Sequence, residues 1–179
     1  MMSLSAQEML DLWKLRSGYV VARRDCEVER TDGVDLDGML MSQIGQWYAG
    51  LLATAPVDWL PVEDVAARVA VEADAEGVVA ATLPGCCVRP VAWRLRGWSR
   101  DVTTFHDAGS AEALRQGVRW LRGNACRPVA VAEATGLRLY SIVPGTQPVV
   151  ERALCVVRPA DGVFTFATAA LATIPQQGL

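Results

Sequence analysis

Apolar residues recur at helical spacing early in the chain and at strand spacing after it. Behind the capping box Ser5-Ala6-Gln7-Glu8, the residues Met9, Leu12, Trp13, Arg16, Tyr19 and Val20 lie three to four apart. In such a box the serine hydroxyl and the glutamate carboxylate each satisfy a backbone amide that the first turn would leave bare, so the spacing predicts a helix from about Ala6 to Arg23. An acidic, turn-prone connector, "CEVERTDGVD", follows. Asp37 is then expected to cap a second helix carrying the stripe Leu40, Ile44, Trp47, Leu51 and Leu52, which Pro56 stops. Two amphipathic helices on a short link predict an antiparallel hairpin over residues 1–58.

The period then becomes two. Val65, Ala67, Val69, Val71 and Ala73 alternate with Ala66, Arg68, Ala70 and Glu72, Asp74–Gly77 ("DAEG") is a turn, and Val78–Leu83 is the returning strand. A strand over Val91–Trp98 would place Val91, Trp93 and Leu95 on one face and Arg94, Arg96 and Trp98 on the other. "TTFHDAGS" has the composition of a loop. Ser110 is expected to cap a short helix that buries Ala111, Leu114, Val118 and Leu121. Strands follow at Pro128–Glu133, Leu137–Ser141 and Leu154–Arg158, and Val163–Ile174 reads equally as strand or helix. The expected fold is α+β: an N-terminal helical hairpin, then a mostly antiparallel β unit at 59–179 with one inserted short helix.

Composition supports a folded chain. Hydrophobic residues make up 51% of 179, above the range of disordered segments. No apolar run reaches the roughly 18 residues of a membrane span. "MMSLSAQEML" has no basic stretch leading into an apolar one, so no secretory leader is expected and synthesis is placed in the cytoplasm. The net charge of −3 conceals segregation: residues 1–88 carry 6 basic and 14 acidic side chains, residues 89–127 carry 8 arginines against 3 acids, and the remainder balances. Segments of opposite sign can pair within one molecule, pair between copies, or simply solvate different faces.

The chemical candidates are sparse. Cys26, Cys86, Cys87, Cys126 and Cys155 are odd in number and scattered, with no C-x-x-C, which predicts neither a disulfide framework nor a zinc site. Adjacent cysteines in a strand point to opposite faces. His106 is the one histidine, and a Cys–His hydrolase would have to pair it with Cys86 or Cys87. Phosphate-loop and dinucleotide-binding glycine motifs are absent. The expectation is no enzyme, no cofactor and no metal.

The basic segment carries most of the remaining signal. Arginines interleave with Trp93, Trp98 and Trp120, which suits a basic–aromatic surface for nucleic acid or a protein–protein interface. The residues expected at an interface are Arg94, Arg96, Trp98, Arg100, Arg119, Trp120 and Arg122. Trp98 could equally be covered by the helix that follows it.

Several landmarks occur in a particular order: "LPVEDVAARVAVEADAEGVVAATLPGCCVRPVAWRLRGWSRDV", then "RWLRGNACRPVAV", "GLRLYS" and "ALCVVRPADG". Over roughly residues 60–160 this order is similar to that of small virion proteins of tailed, crAss-like and related gut bacteriophages, the ring or neck subunits at the head–tail junction. The likeness rests on a strand ending at Leu83-Pro84, a strand running through Leu95 to Trp98 and Val102, and Pro128-Val129 behind a loop with Gly123. It continues through Leu137 to Ser141 and Val156 to Pro159. The resemblance implies a structural connector subunit joining portal to tail around the DNA channel. Its partners would be copies of itself, portal and tail or adaptor proteins and, non-specifically, packaged DNA, with no membrane; its place would be the virion neck. The alternatives are a cellular protein–protein interaction module or the Cys–His hydrolase.

Overall fold

Ser5 opens the first helix as its sequence predicts. In the computed structural model, which describes residues 1–18, 35–140 and 145–175, its side chain accepts the Glu8 N–H while the Glu8 carboxylate accepts the Ser5 N–H at 2.7 Å. The chain runs β1 (Met2–Ser5), α1 (Ala6–Arg16), α2 (Leu36–Thr54), β2 (Val62–Asp64), β3 (Ala70–Ala73), β4 (Val78–Thr82) and β5 (Cys87–Leu95). It continues with β6 (Phe105–Asp107), α3 (Ala111–Gln116), β7 (Val129–Glu133), β8 (Gly136–Tyr140), β9 (Val150–Val157) and β10 (Val163–Phe166), with short 3-10 turns between. This is an α+β fold rich in antiparallel sheet. Among the described residues no helix is long and apolar enough to cross a membrane.

The chain divides into two units, Met1–Pro61 with Arg158–Leu179, and Val62–Val157. The expected division at 58/59 lies close to the first crossing, but the segment from Arg158 onward belongs with the helices. The reason is the pairing of β1 with β10 in register Met2↔Phe166 to Ser5↔Val163. In that first unit Lys14, in the last turn of α1, bonds Asp37, in the first turn of α2, at 2.6 Å. Trp13 meets Trp47 edge-on at 5.6 Å, Trp47 meets Phe166 at 5.5 Å, and Tyr48 meets Phe164 at 5.1 Å. The Tyr48 hydroxyl donates to the Thr165 carbonyl and accepts the Thr165 N–H, each at 3.0 Å, which ties α2 to the strand.

Three expectations change here. Helix α1 stops at Arg16, where Ser17 caps it, and the Tyr19–Arg23 part of the predicted helix, like Cys26, lies outside the described residues. Asp35 caps α2 by accepting the Gly38 N–H at 2.9 Å, leaving Asp37 within the first turn, two residues past the cap. The buried stripe of α2 is Leu40, Ile44, Tyr48, Leu51 and Leu52, with Trp47 at its margin.

The second unit holds a three-stranded sheet, β2-β9-β5, and a five-stranded sheet, β3-β4-β8-β7-β6. Both contribute to one buried cluster that includes Val65, Val79, Trp93, Leu95, Leu139 and Cys155. The predicted strand over residues 65–73 is broken: a 3-10 turn at Ala66–Arg68 hands the chain from β2, in one sheet, to β3, in the other. The "DAEG" turn forms as read, with Gly77 at φ 80°. β6 was expected as loop; it is a three-residue strand and pairs in parallel with β7. Val163–Ile174 resolves into β10 followed by a 3-10 turn at Thr168–Thr173. At Gly136 the paired strands β8 and β4 come so close that a Cβ would run into the Ala81 carbonyl.

Trp98 is the main correction. Register shifts interrupt β5, and Gly97 at φ 89° turns the chain, so the two-residue alternation fails beyond Leu95. Trp98 is 2% exposed and belongs to the core cluster, not to an outward face shared with Arg94 and Arg96.

Candidate functional site

Helix α3 begins as predicted, with Ser110 accepting the Ala113 N–H at 3.2 Å, but it ends after six residues at Gln116. The i, i+4, i+7 pattern of Leu114, Val118 and Leu121 therefore lies only partly on a helix, and the expected burial is reversed. Leu114 is 69% exposed, Val118 and Leu121 are exposed as well, and Trp120 is 86% exposed. The side chain buried in their place is Gln116, at 0%.

Gln116 sets the shape of this region. Its Nε2 donates to the Glu112 carbonyl at 3.2 Å and to Glu112 Oε1 at 3.0 Å, while its Oε1 accepts the Gly123 N–H at 2.8 Å. Arg122 Nε donates to the Gln116 carbonyl at 2.9 Å, and Arg122 Nη2 pairs with Glu76 at 2.7 Å. The 117–123 loop is thus fastened at both ends to buried or ion-paired groups, with an apolar ridge on its outside. Four large apolar side chains exposed within eight residues are the kind of patch that marks an interaction site.

The seven residues expected at an interface fall into three places. Arg94 and Arg96 share Glu151, each at 3.6 Å, and Arg94 also lies 3.7 Å from Asp101. Trp98 is in the core. Arg119, Trp120 and Arg122 belong to the fastened loop; Trp120 and Arg122, together with Arg100, line a cleft of about 820 Å³. His106, Arg115 and Arg127 also line this cleft. Reasoning from the sequence missed the Leu114–Val118–Leu121 ridge and the place of Arg127. The clue for the ridge was the glycine at 117, which ends the helix too early for its far apolar positions to be carried inward.

The segregated charges are matched in part within the chain: Arg122 of the basic segment bonds Glu76 of the acidic one. Asp101 accepts from Arg152 at 2.8 Å. Asp64, at the end of β2, accepts the Ala153 N–H of the neighbouring β9 and the Ala66 N–H of the 3-10 turn that follows, each at 3.0 Å.

Cys86 and Cys87 do not share the cleft that His106 lines. Cys87 begins β5, and Cys155 is buried beside it on β9. The Cys155 thiol is pushed well up, first by hydrogen bonding to Cys87 and then by burial, and that same hydrogen bond draws the Cys87 thiol down. Cys86 accepts a contact from Arg68 Nη1 at 3.5 Å. Among the described residues no three His, Cys, Asp or Glu side chains gather as a metal site.

No protein-family model matches the chain, and neither a curated protein nor a solved structure shows significant similarity to it.

Proposed function

We propose that this chain is a structural virion protein, a head–tail connector or neck ring subunit that works by binding copies of itself and adjoining shell components. The observation that carries the reading is Trp120, 86% exposed on a loop held by buried hydrogen bonds and flanked by Leu114, Val118 and Leu121. A rigidly presented aromatic beside arginines is the composition of an interface hot spot. The order of landmarks over residues 60–160 supports the connector over other assemblies. A ring needs two different surfaces that fit one another. The basic 89–127 segment is one of them, and the acidic hairpin of β3 and β4, with Glu72 and Asp74 exposed, is of the sign the other requires. Portal, tail or adaptor proteins would be the neighbours above and below, with the DNA path through the middle.

The test is mass measurement in solution with negative-stain imaging, on wild type and Trp120→Ala. Concentration-dependent closed oligomers that Trp120→Ala dissociates are expected. A chain that stays monomeric at the highest attainable concentration, and that does not join particles containing portal, overturns the reading. A chain that associates but never joins such particles is a cellular interaction module built on the same ridge.

A further inference from the structure

The cleft beside the ridge has a charge imbalance of its own. Its lining includes the carboxylates of Asp101 and Glu112. Both are already engaged: Asp101 with Arg94 and Arg152, Glu112 with Arg115 at 3.4 Å and with Gln116. Arg122 is neutralised by Glu76. Two lining guanidiniums remain, Arg100 and Arg127, and among the described residues neither has a carboxylate partner.

These two arginines are held near one another by the backbone. Asn124–Arg127 forms a tight turn in which Asn124 Oδ1 accepts the Cys126 and Arg127 N–H groups at 3.0 and 3.1 Å. Ser99, the neighbour of Arg100, donates its N–H to the Ala125 carbonyl of that turn at 2.9 Å and its hydroxyl to the same oxygen at 3.2 Å. The segments bearing the two cations are therefore directly cross-linked. His106, on β6, and the Thr103 and Thr104 hydroxyls add further polar groups to the same cleft.

We infer that this cleft is a binding site for phosphate anions, with Arg100 and Arg127 as its paired cationic donors. Two unneutralised guanidiniums call for two negative charges close together. One carboxylate neutralises the charge of only one of them, whereas a phosphate dianion or neighbouring phosphodiesters neutralise both, and the forked guanidinium suits phosphate oxygens geometrically. The volume, about 820 Å³, exceeds what one phosphate group fills and admits the group together with the molecule that bears it. The source is either a free phosphate-bearing small molecule or the backbone of a nucleic acid strand. The site stands whether or not the chain assembles into a ring.

The experiment is fluorescence anisotropy of a labelled dT oligonucleotide of about twelve residues, within the range of single-strand site sizes, across a salt series. Proteins are the wild type, the Arg100→Ala, Arg127→Ala double variant, and Arg96→Ala, which removes an exposed arginine outside the cleft. All three should melt alike, since each replaced side chain is exposed. Wild type and Arg96→Ala should bind equally. The double variant should bind about ten-fold or more weakly, with its salt slope reduced by about 1.4, from roughly 0.7 per phosphate contact on a single strand. Competition then assigns the source. Displacement of the label by inorganic phosphate identifies a small phosphate ligand; displacement only by unlabelled oligonucleotide identifies a strand. The inference is overturned if the double variant binds like wild type. It is equally overturned if no labelled strand binds at low salt and phosphate leaves the double variant and wild type indistinguishable in melting temperature. Polyglutamate displacing the label as well as an oligonucleotide of equal charge would make the cleft an acidic-peptide site instead.

Discussion

The side-chain oxygen of Gln116 accepts the backbone N–H of Gly123 at 2.8 Å, across a loop whose outer side carries Trp120. A buried amide thereby holds an exposed aromatic in place. Gln116→Met keeps the volume and removes the side-chain hydrogen bonds. It should cost about 2–3 kcal/mol, because the Glu112 and Gly123 groups lose their partner in a buried setting. Urea denaturation measures the loss, and limited trypsinolysis localises it: cleavage after Arg119 and Arg122 should accelerate before any other site.

Trp98 and Trp120, both within the cationic segment, should part company. Trp98→Ala empties a site in the core of the second unit and should lower stability by about 3–5 kcal/mol. Trp120→Ala removes a side chain that is 86% exposed and should change stability by about 0.5 kcal/mol or less. If Trp120 anchors a subunit contact, the same substitution should weaken association by about 2 kcal/mol or more, roughly thirty-fold. Chemical denaturation read beside sedimentation equilibrium separates the two effects.

Tyr48 makes the first unit sensitive to alkali. Burial pushes its hydroxyl above the ordinary tyrosine value, with the Thr165 backbone hydrogen bond opposing. The unfolded chain then ionises first, so the native state binds the more protons above about pH 10. Stability is full below that pH and is lost as pH rises toward the native value. Tyr48→Phe should flatten this alkaline limb and cost about 1 kcal/mol at neutral pH for the lost hydrogen bonds. Thermal melts between neutral and strongly alkaline pH test both statements.

Cys87 and Cys155 should behave as a linked pair toward alkylation. The thiol of Cys155 is buried and pushed up, so it should stay unmodified until the chain unfolds. Cys87 is drawn down, so its alkylation should begin at a lower pH than that of a free cysteine, although half-burial slows it. Cys155→Ala removes the hydrogen bond and should move that onset upward. Site-resolved mass spectrometry after timed iodoacetamide exposure reads each residue separately.

Local signals in the sequence were legible where the structure depends only on neighbours. The Ser5–Glu8 box, the Ser110 cap, the "DAEG" turn and the strands at 129–133 and 136–140 all follow from short-range chemistry. The losses came where a distant partner decides. The 65–73 alternation reads as one strand because nothing in it announces that β9 will claim Val62–Asp64 while β4 claims Ala70–Ala73. β6 was invisible because three residues carry no period, and its pairing with β7 supplies the only reason for it to be extended. At Trp98 a single left-handed glycine turned the side chain inward. The candidate site was half legible: Trp120 and Arg100 were singled out, but Arg127 joins them only through the Ser99–Ala125 cross-link, a contact made at long range.

Because β10 closes on β1, the helical unit is assembled from the two flanks of the chain, and Val62–Val157 is spliced between them. During translation this reverses the usual order. The interior unit has all its strands once Val157 has left the ribosome, while Trp47 and Tyr48 must wait for Phe164 and Phe166 to emerge, and β1 for β10. The aromatic edge of α2 is thus made early and covered late, and in the interval it is open to non-native contacts.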